Sequence, residues 1–465
     1  MTSAQPVKKV RVRIAPSPTG YLHIGTAHTA LFNWIFAKKN QGTFILRIED
    51  TDLERSDKKY EKDIIENLKW LGLEWDEGPY KQSERLEIYE NYIKKLLADN
   101  LAYYCFCTKD ELEQERQIML TQGRAPRYSG RCRSLKTEEV KKRLAAGDSH
   151  IIRFKMPETK ISFNDLIRGQ ISFDAFLIGD IAIAKDPRAP LYNFAVVVDD
   201  YEMKITHVIR GEDHIANSPK QIAIQKALGF PHPHYAHLPL ILDLDRSKMS
   251  KRYSATAIKE YRDAGYLPEA LVNFMALLGW HPQDDKEILT REEITEKFEL
   301  ERVQKAGAIF NAEKLDRLNS QYLKKIDDRE LAKILKVKNE KIVSLVKERM
   351  KKMSDFHELA GFLLELPEYS SELLIWKSTP ENAVRENLQK IAEILSKIPE
   401  ENFHQDILTE NLQDLAVQRG RGEIFWPLRA ALSGQKTSPG PMEIAEVLGK
   451  EETLKRLRIA VKKLG

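Results

Sequence analysis

Cysteine is scarce, three in 465 residues. That is an odd number, and too few for the disulfide framework of a small secreted domain. No stretch reaches the ~18 to 20 consecutive apolar residues of a membrane span. The opening MTSAQPVKKV lacks the apolar core of a secretory signal. A cytoplasmic location, with no membrane partner, is therefore expected. Net charge is small, +4 from 74 basic and 70 acidic side chains, so any affinity for nucleic acid has to come from a local face and not from the total. Internal repeats and low-complexity tracts are absent, which sets aside solenoids and disordered chains. What is present is 42% hydrophobic and 31% charged residues, enough for buried cores in roughly three domains.

The first half reads as an α/β pattern. Val10, Val12 and Ile14 alternate with Arg11 and Arg13, which is a strand, and Pro16, Pro18 and Gly20 break it into a tight loop. Thr26 to Lys39 reads as a helix, GTFILRIED as a second strand, and SDKKYEKDIIENLKWLG as a second helix with Ser56 or Asp57 as N-cap and Gly72 as stop. Strand and helix alternating at this spacing predict a parallel sheet with crossover helices. From about Tyr103 to Pro190 the texture changes to short β-rich pieces and the cysteines, as expected of an insertion. YNFAVVVDD and KITHVIRG then resume the α/β pattern, followed by a helix over Ser218 to Leu228 and the apolar HLPLIL. Past Leu267 almost everything reads helical. Between Lys324 and Met353 there are 11 Lys or Arg against 5 Asp or Glu, a local basic excess that the net charge hides.

One loop asks for a function. DRSKMSKRYS, Asp245 to Ser254, places Lys248, Lys251 and Arg252 directly after an apolar run. It is either a solvated basic turn or a phosphate clamp. A second feature favours the clamp. The first strand ends in APSPTGYLHIGT, which sets His23, Gly25 and Thr26 where loop becomes helix, the place where open α/β sheets bind anions. Gly25 would let a nucleotide approach the backbone, and His23 would donate to a phosphate oxygen.

H-x-G-T after the first strand together with K-M-S-K-R after a late one resembles the class I aminoacyl-tRNA synthetases. The longer stretches RIAPSPTGYLHIGTAHTALFNWIFAKKNQGTFILRIEDTD, LGLEWDEGP, PLYNFAVVVDD, HVIRGEDH and SKMSKR resemble the bacterial glutamyl-tRNA synthetases. FWPLRAALSGQKTSPGPMEIAEVLGKEETLKRL resembles the end of that family's anticodon-binding region. The likeness covers nearly the whole chain in order.

The resemblance implies a glutamate–tRNA ligase that activates L-glutamate with ATP and Mg²⁺ and passes it to the terminal adenosine of tRNA(Glu). Attack by the ribose 2′-OH and a need for tRNA in efficient activation come with it. Whether tRNA(Gln) is a further acceptor stays open, and a monomer is the family default. The implied fold is a Rossmann-like parallel-sheet catalytic domain (1–102 and 191–256) interrupted by an α+β acceptor-stem domain (103–190). A helical connecting domain (257–324) and an all-α anticodon-binding domain (325–465) follow. The ATP site is implied at His23, Gly25, Thr26, Asp213, Lys248, Ser250 and Lys251, with His23, Lys248 and Lys251 catalytic. The glutamate site is implied at Arg13, Ala15, Ser17, Glu49, Tyr192 and Arg210. The chemistry agrees: carboxylates suit guanidinium partners, an α-ammonium suits Glu49, and mobile ammonium groups follow a departing pyrophosphate. Val196 stands where some members carry asparagine, so that contact is expected to be missing. Anticodon contacts are expected around Lys347 to Met353. Glutaminyl-tRNA synthetases share the core but end in β-barrels. A non-catalytic RNA-binding paralogue should have lost His23, Lys248 or Lys251. The short synthetase that glutamylates a modified tRNA base lacks the helical third.

Cys105, Cys107 and Cys132 lie in the insertion. A C-x-C pair with a third thiolate 25 residues on is a candidate zinc half-site, and zinc prefers four ligands. Some bacterial members bind structural Zn²⁺ here with a later C-x-H, but this chain reads Cys132-Arg133-Ser134. Tyr128 is the candidate fourth ligand, from the Y-x3-C pattern of the related tRNA-modifying synthetase. The alternative is three reduced thiols and no metal.

Overall fold

The computed structural model describes residues 9–52, 54–247, 249 and 256–465. The expected site residues Lys248, Ser250 and Lys251 lie outside them. The chain divides into two compact units, Met1–Asp263 with Pro268–Ala312, and Ala264–Leu267 with Glu313–Gly465.

The first unit opens as the alternation predicts. Strand β1 (Arg11–Ile14) is followed by helix α1 (Ile24–Lys39), β2 (Thr43–Ile48), α2 (Lys58–Trp70), β3 (Glu77–Lys81) and α3 (Leu86–Ala98). All three strands run parallel in the order β1-β2-β3. Every residue of β2 is buried, as a strand covered on both faces requires. Asp57 caps α2, its carboxylate accepting from the Lys59 N–H at 2.8 Å. Gly72 follows the helix at φ +67°, and the Arg291 guanidinium occupies the space a Cβ would need. Only glycine fits there.

The middle of this unit carries β4 (Ala102–Cys105), α4 (Lys109–Thr121), α5 (Thr137–Ala145), β5 (Ile151–Phe154), β6 (Lys160–Asp165), β7 (Gly169–Asp174), α6 (Ala175–Ile178) and β8 (Ile181–Ala184). Strands β4, β5 and β8 form a small antiparallel sheet. The antiparallel β6–β7 hairpin instead joins the second group of parallel strands.

Next come α7 (Tyr192–Glu202), β9 (His207–Gly211), α8 (Ser218–Leu228), β10 (His234–Leu238) and β11 (Ile241–Leu242). YNFAVVVDD, with which the α/β pattern resumes, is the helix α7. Tertiary burial decides here: Phe194 through Asp200 are all buried, and a two-residue period has no solvent face to mark. Strands β9 and β10 run parallel, with Arg210 beside His237, and β10 pairs with β6 at Tyr235 and Asp165. β1 meets the start of β9, where the Thr206 N–H donates to the Arg11 carbonyl at 2.9 Å and the Arg11 N–H donates to Thr206 Oγ1 at 2.8 Å. The carboxyl ends of β1, β9 and β10 therefore open on one place. The strand β12 (Ala308–Ile309) pairs with β11.

The second unit is helical. Its core includes Leu331, Val343, Phe356, Leu388, Leu412, Leu428 and Leu457. The Arg456 guanidinium is buried and donates through Nη1 to the carbonyls of Phe362 and Leu432, both at 2.7 Å, while Nε pairs with Glu452 at 3.0 Å. One side chain thus satisfies the C-terminal carbonyls of two other helices. Among all described residues, no helix is long and apolar enough to cross a membrane.

Candidate active site

At the carboxyl end of β1 the chain turns sharply and begins α1. His23 is the N-cap: its Nδ1 accepts the Gly25 N–H at 3.1 Å. That bond leaves the proton of a neutral ring on Nε2. A Cβ at Gly25 would meet only the His23 ring, so open space lies over this turn. The turn is pinned from the other side. Ile24 N–H donates to the Thr256 carbonyl at 2.8 Å, and Ile258 N–H to the Leu22 carbonyl at 2.9 Å. Residues directly following the Lys248–Ser254 stretch are thus bonded to the His23 turn.

A cavity of about 460 Å³ lies here. It is lined by Arg13, Ala15, Ser17, His23, Gly25, Thr26, Glu49, Tyr192, Arg210 and Asp213. All the expected glutamate positions are present, with every described residue of the expected ATP set. Met249, between Lys248 and Ser250, lines the same space. Val196 is buried and is not among the lining residues.

The two arginines are held differently. Arg13 Nε donates to Asp200 Oδ1 at 3.2 Å. Asp200 also accepts from Arg47 Nη1 at 2.8 Å, and Arg47, fully buried, donates from Nη2 to Glu49 Oε1 at 3.0 Å. Arg47 further pairs with Asp199, which takes Arg85 Nε at 2.7 Å and the Tyr89 hydroxyl at 2.8 Å. Burial works against the Arg47 charge, but Asp200, Asp199 and Glu49 outweigh it and raise its pKa. Arg210, by contrast, forms no ion pair among the described residues. Its Nε donates to His237 Nε2 at 3.2 Å, Nη1 to Gln221 Oε1 at 2.9 Å and Nη2 to Ser218 Oγ at 2.9 Å. It is 4% exposed, a buried cation lacking direct contact with a carboxylate, which is costly unless a ligand completes it.

Glu49 shows the opposite need. Burial raises its pKa, opposed by Arg47 and Arg13, so a cationic ligand group would stabilise its carboxylate. The Tyr192 phenol lies 3.0 Å from His214 Nδ1. Burial pushes Tyr192 up to about 12 and His214 down to about 4, the latter helped by the Arg210 charge. Both are neutral near pH 7. Two guanidiniums, the Glu49 carboxylate beside them and neutral hydrogen-bonding groups suit a zwitterion carrying an additional carboxylate.

The motifs did not disclose the supporting groups Arg47, Asp199, Asp200, His214, Ser218, Gln221, His237 and Asp165. One signal was available: the acidic pair of VVVDD sits inside an apolar run, where charges persist only if paired.

A separate cluster gathers the cysteines. The three Sγ atoms lie within 4.8 Å of one another, with Cys107 and Cys132 3.6 Å apart. Tyr128 Oη is 3.4 Å from Cys105 Sγ and 3.5 Å from Cys107 Sγ. Tetrahedral ligands at usual zinc distances are about 3.8 Å apart for two sulfurs and about 3.5 Å for sulfur and oxygen. The donor set fits. Burial raises the Cys107 thiol to about 11, with Cys132 adding to the effect, so a divalent cation would supply the missing counter-charge.

Residues 9–317 match the family model described as tRNA synthetases class I (E and Q), catalytic domain. Residues 300–461 match an anticodon binding domain. The chain is 46% identical to the glutamate–tRNA ligase of Carboxydothermus hydrogenoformans, over 96% of this chain and 99% of that one. It is 45% identical to glutamate–tRNA ligase 2 of Thermoanaerobacter pseudethanolicus, over 98% of each. Among solved structures, a glutamate tRNA ligase from Elizabethkingia meningosepticum, in complex with its amino acid, superposes with a TM-score of 0.89 at 38% identity, covering 98% of this chain and all of that one.

Proposed function

The chain belongs to the class I tRNA synthetases of the E and Q type, and from that premise we propose that it is a glutamate–tRNA ligase, which activates L-glutamate with ATP and esterifies it to tRNA(Glu). The observation that carries the amino-acid assignment is Arg210, a buried cation that, among the described residues, is held by neutral groups at the wall of a cavity that also presents Arg13 and Glu49. Glutamine matches glutamate in shape, so size cannot separate them. A buried guanidinium can, because an amide does not neutralise it.

In this reading Glu49 receives the α-ammonium, and Arg13 and Arg210 receive the carboxylates, with Arg210 taking the side chain. Ser17 and Tyr192 add hydrogen bonds, and the backbone at Ala15 borders the substrate. One α-carboxylate oxygen attacks the α-phosphorus of ATP, the bond to the bridging oxygen breaks, and pyrophosphate leaves. The His23 Nε2–H donates to a phosphate oxygen, Gly25 and Thr26 border the nucleotide, and Asp213 lies toward its ribose. Lys248, Ser250 and Lys251 belong to a stretch in which Met249 lines this cavity and after which Thr256 is bonded to the His23 turn. The ammonium groups of Lys248 and Lys251 neutralise charge that grows in the transition state. Mg²⁺ bound with the phosphates would supply part of that neutralisation.

Cys105, Cys107, Cys132 and Tyr128 would hold a structural Zn²⁺, which cross-links their two segments. The helical region 325–465 contacts the anticodon arm. Within its basic stretch up to Met353, Lys325, Lys333, Lys336, Lys338 and Arg349 are exposed and form no salt bridge among the described residues. They are the groups available to RNA phosphates.

The test is glutamate-dependent ATP–pyrophosphate exchange, with and without tRNA(Glu), on the whole chain and on Lys251→Ala. Exchange specific for glutamate, falling about a hundredfold or more in the variant, is the expected result. Equal exchange with glutamine would overturn the substrate assignment. Near-normal exchange in Lys251→Ala would overturn the role of that lysine.

A further inference from the structure

Arg210 and His237 are direct neighbours on adjacent parallel strands, so their side chains share a face and lie side by side. His237 is completely buried and Asp165 is 1% exposed. His237 Nδ1 lies 2.6 Å from Asp165 Oδ2. A carboxylate only accepts, so the imidazole proton sits on Nδ1. Nε2 is then a lone pair, and it faces the Nε–H of Arg210 at 3.2 Å. Asp165 is itself fixed, its Oδ1 accepting from the backbone N–H groups of Ile167 at 3.0 Å and Arg168 at 2.9 Å. Hydrogen bonding from His237 and these amides outweighs burial and keeps the Asp165 carboxyl below its ordinary range. Burial likewise holds the pKa of His237 down.

We propose that Asp165 and His237 are positioning residues for amino-acid selection, Asp165 setting the tautomer of His237 so that a neutral acceptor orients Arg210 without quenching its charge. This rests on the reading that Arg210 receives the substrate's side-chain carboxylate. The comparison with Arg13 shows what the device avoids. Arg13 is oriented by the carboxylate of Asp200, which already compensates its charge. A carboxylate directly on Arg210 would do the same and would reduce the penalty for an uncharged substrate side chain. With the imidazole interposed, the negative charge of Asp165 stabilises the buried cation from a ring's width away, and the outer guanidinium edge stays available to the substrate.

Asp165→Asn is the decisive variant. Its amide can keep Oδ1 on the backbone N–H groups, but it presents N–H to His237 Nδ1. The proton then moves to Nε2, and two donors confront each other at Arg210. His237→Phe, which removes the acceptor while keeping a ring, is the second variant. Arg210→Gln is the control. Each is assayed as the full chain for pyrophosphate exchange with tRNA(Glu) present, measuring kcat, KM for glutamate, KM for ATP and the preference for glutamate over glutamine. The expected result for Asp165→Asn and His237→Phe is a KM for glutamate raised roughly ten- to a hundredfold, a narrowed preference, and KM for ATP unchanged. Preference lost in Arg210→Gln but intact in both other variants would overturn this inference alone. Preference intact in Arg210→Gln would instead overturn the reading of Arg210. If both variants only lower kcat, or raise the two KM values equally, the pair serves the fold and the inference fails.

Discussion

In the proposed reading, Glu49 ties substrate binding to proton release. Burial raises its pKa in the protein without ligand, and the α-ammonium of glutamate favours its charged form. Binding therefore lowers that pKa and expels a proton wherever Glu49 was still protonated. Affinity should rise with pH, by at most about tenfold per unit, from the ordinary carboxylate range through the raised value, and flatten above it. Calorimetry of glutamate binding in buffers of different ionisation enthalpy measures the released proton. A proton count of zero throughout that window would remove the ammonium from Glu49. At this scale the sequence disclosed residues that line the cavity, because His23, Gly25, Arg13 and Glu49 sit in contiguous motifs. It hid those behind them. Arg13 and Asp200 are 187 positions apart, and His237 and Asp165 are 72 apart. Only the pairing of strands joins them.

Among the elements, the helix α7 runs against the propensity of its own residues. A run of three valines favours a strand by propensity, yet the helical period is what brings Tyr192 to the cavity while Asp200 reaches Arg13 and Arg47. The small sheet of β4, β5 and β8 raises a different issue. The cluster at its end contains only Tyr103, Cys105 and Cys132 as buried members, with Cys107, Tyr128, Leu135 and Ile151 packed around them. So little apolar material needs a staple. Protein prepared without chelator should carry about one zinc per chain, and Cys132→Ser should lose it and become open to proteolysis between α4 and α5. Metal analysis that finds none would leave three reduced thiols. The C-x-C spacing was visible in the sequence. Tyr128 was a candidate through the Y-x3-C resemblance, but its distances to the thiols were not legible, since the turn from Tyr128 to Cys132 sets them.

For the molecule as a whole, its +4 charge says little about RNA, because much of the basic excess is spent internally. Lys324 pairs with Glu348, Arg329 with Glu340, Lys341 with Glu446, Lys347 with Asp328, and Lys351 with Asp316. The unspent cations should set the salt dependence of tRNA binding. Changing Lys333, Lys336 and Lys338 together to Gln should make the slope of log affinity against log salt shallower by about 2, at roughly 0.7 to 0.9 per phosphate contact. An unchanged slope in a binding titration would place the RNA on another face. Which lysines remain unpaired was not legible in the sequence, because their neutralising partners come from other helices.

The junction of β1 with the start of β9 also has a consequence in time. Arg11 and Thr206, which exchange hydrogen bonds there, stand 195 residues apart. A ribosome adding ~5 to 20 residues per second needs roughly 10 to 40 s to deliver the second after the first. During that interval β1 can pair with β2, but its other edge has no partner within the chain, and an open strand edge is a template for pairing with other chains. The nascent protein must therefore be shielded, by chaperones or by spacing between ribosomes, for longer than small domains with local contacts require. Its catalytic pocket is among the last parts of the first unit to close.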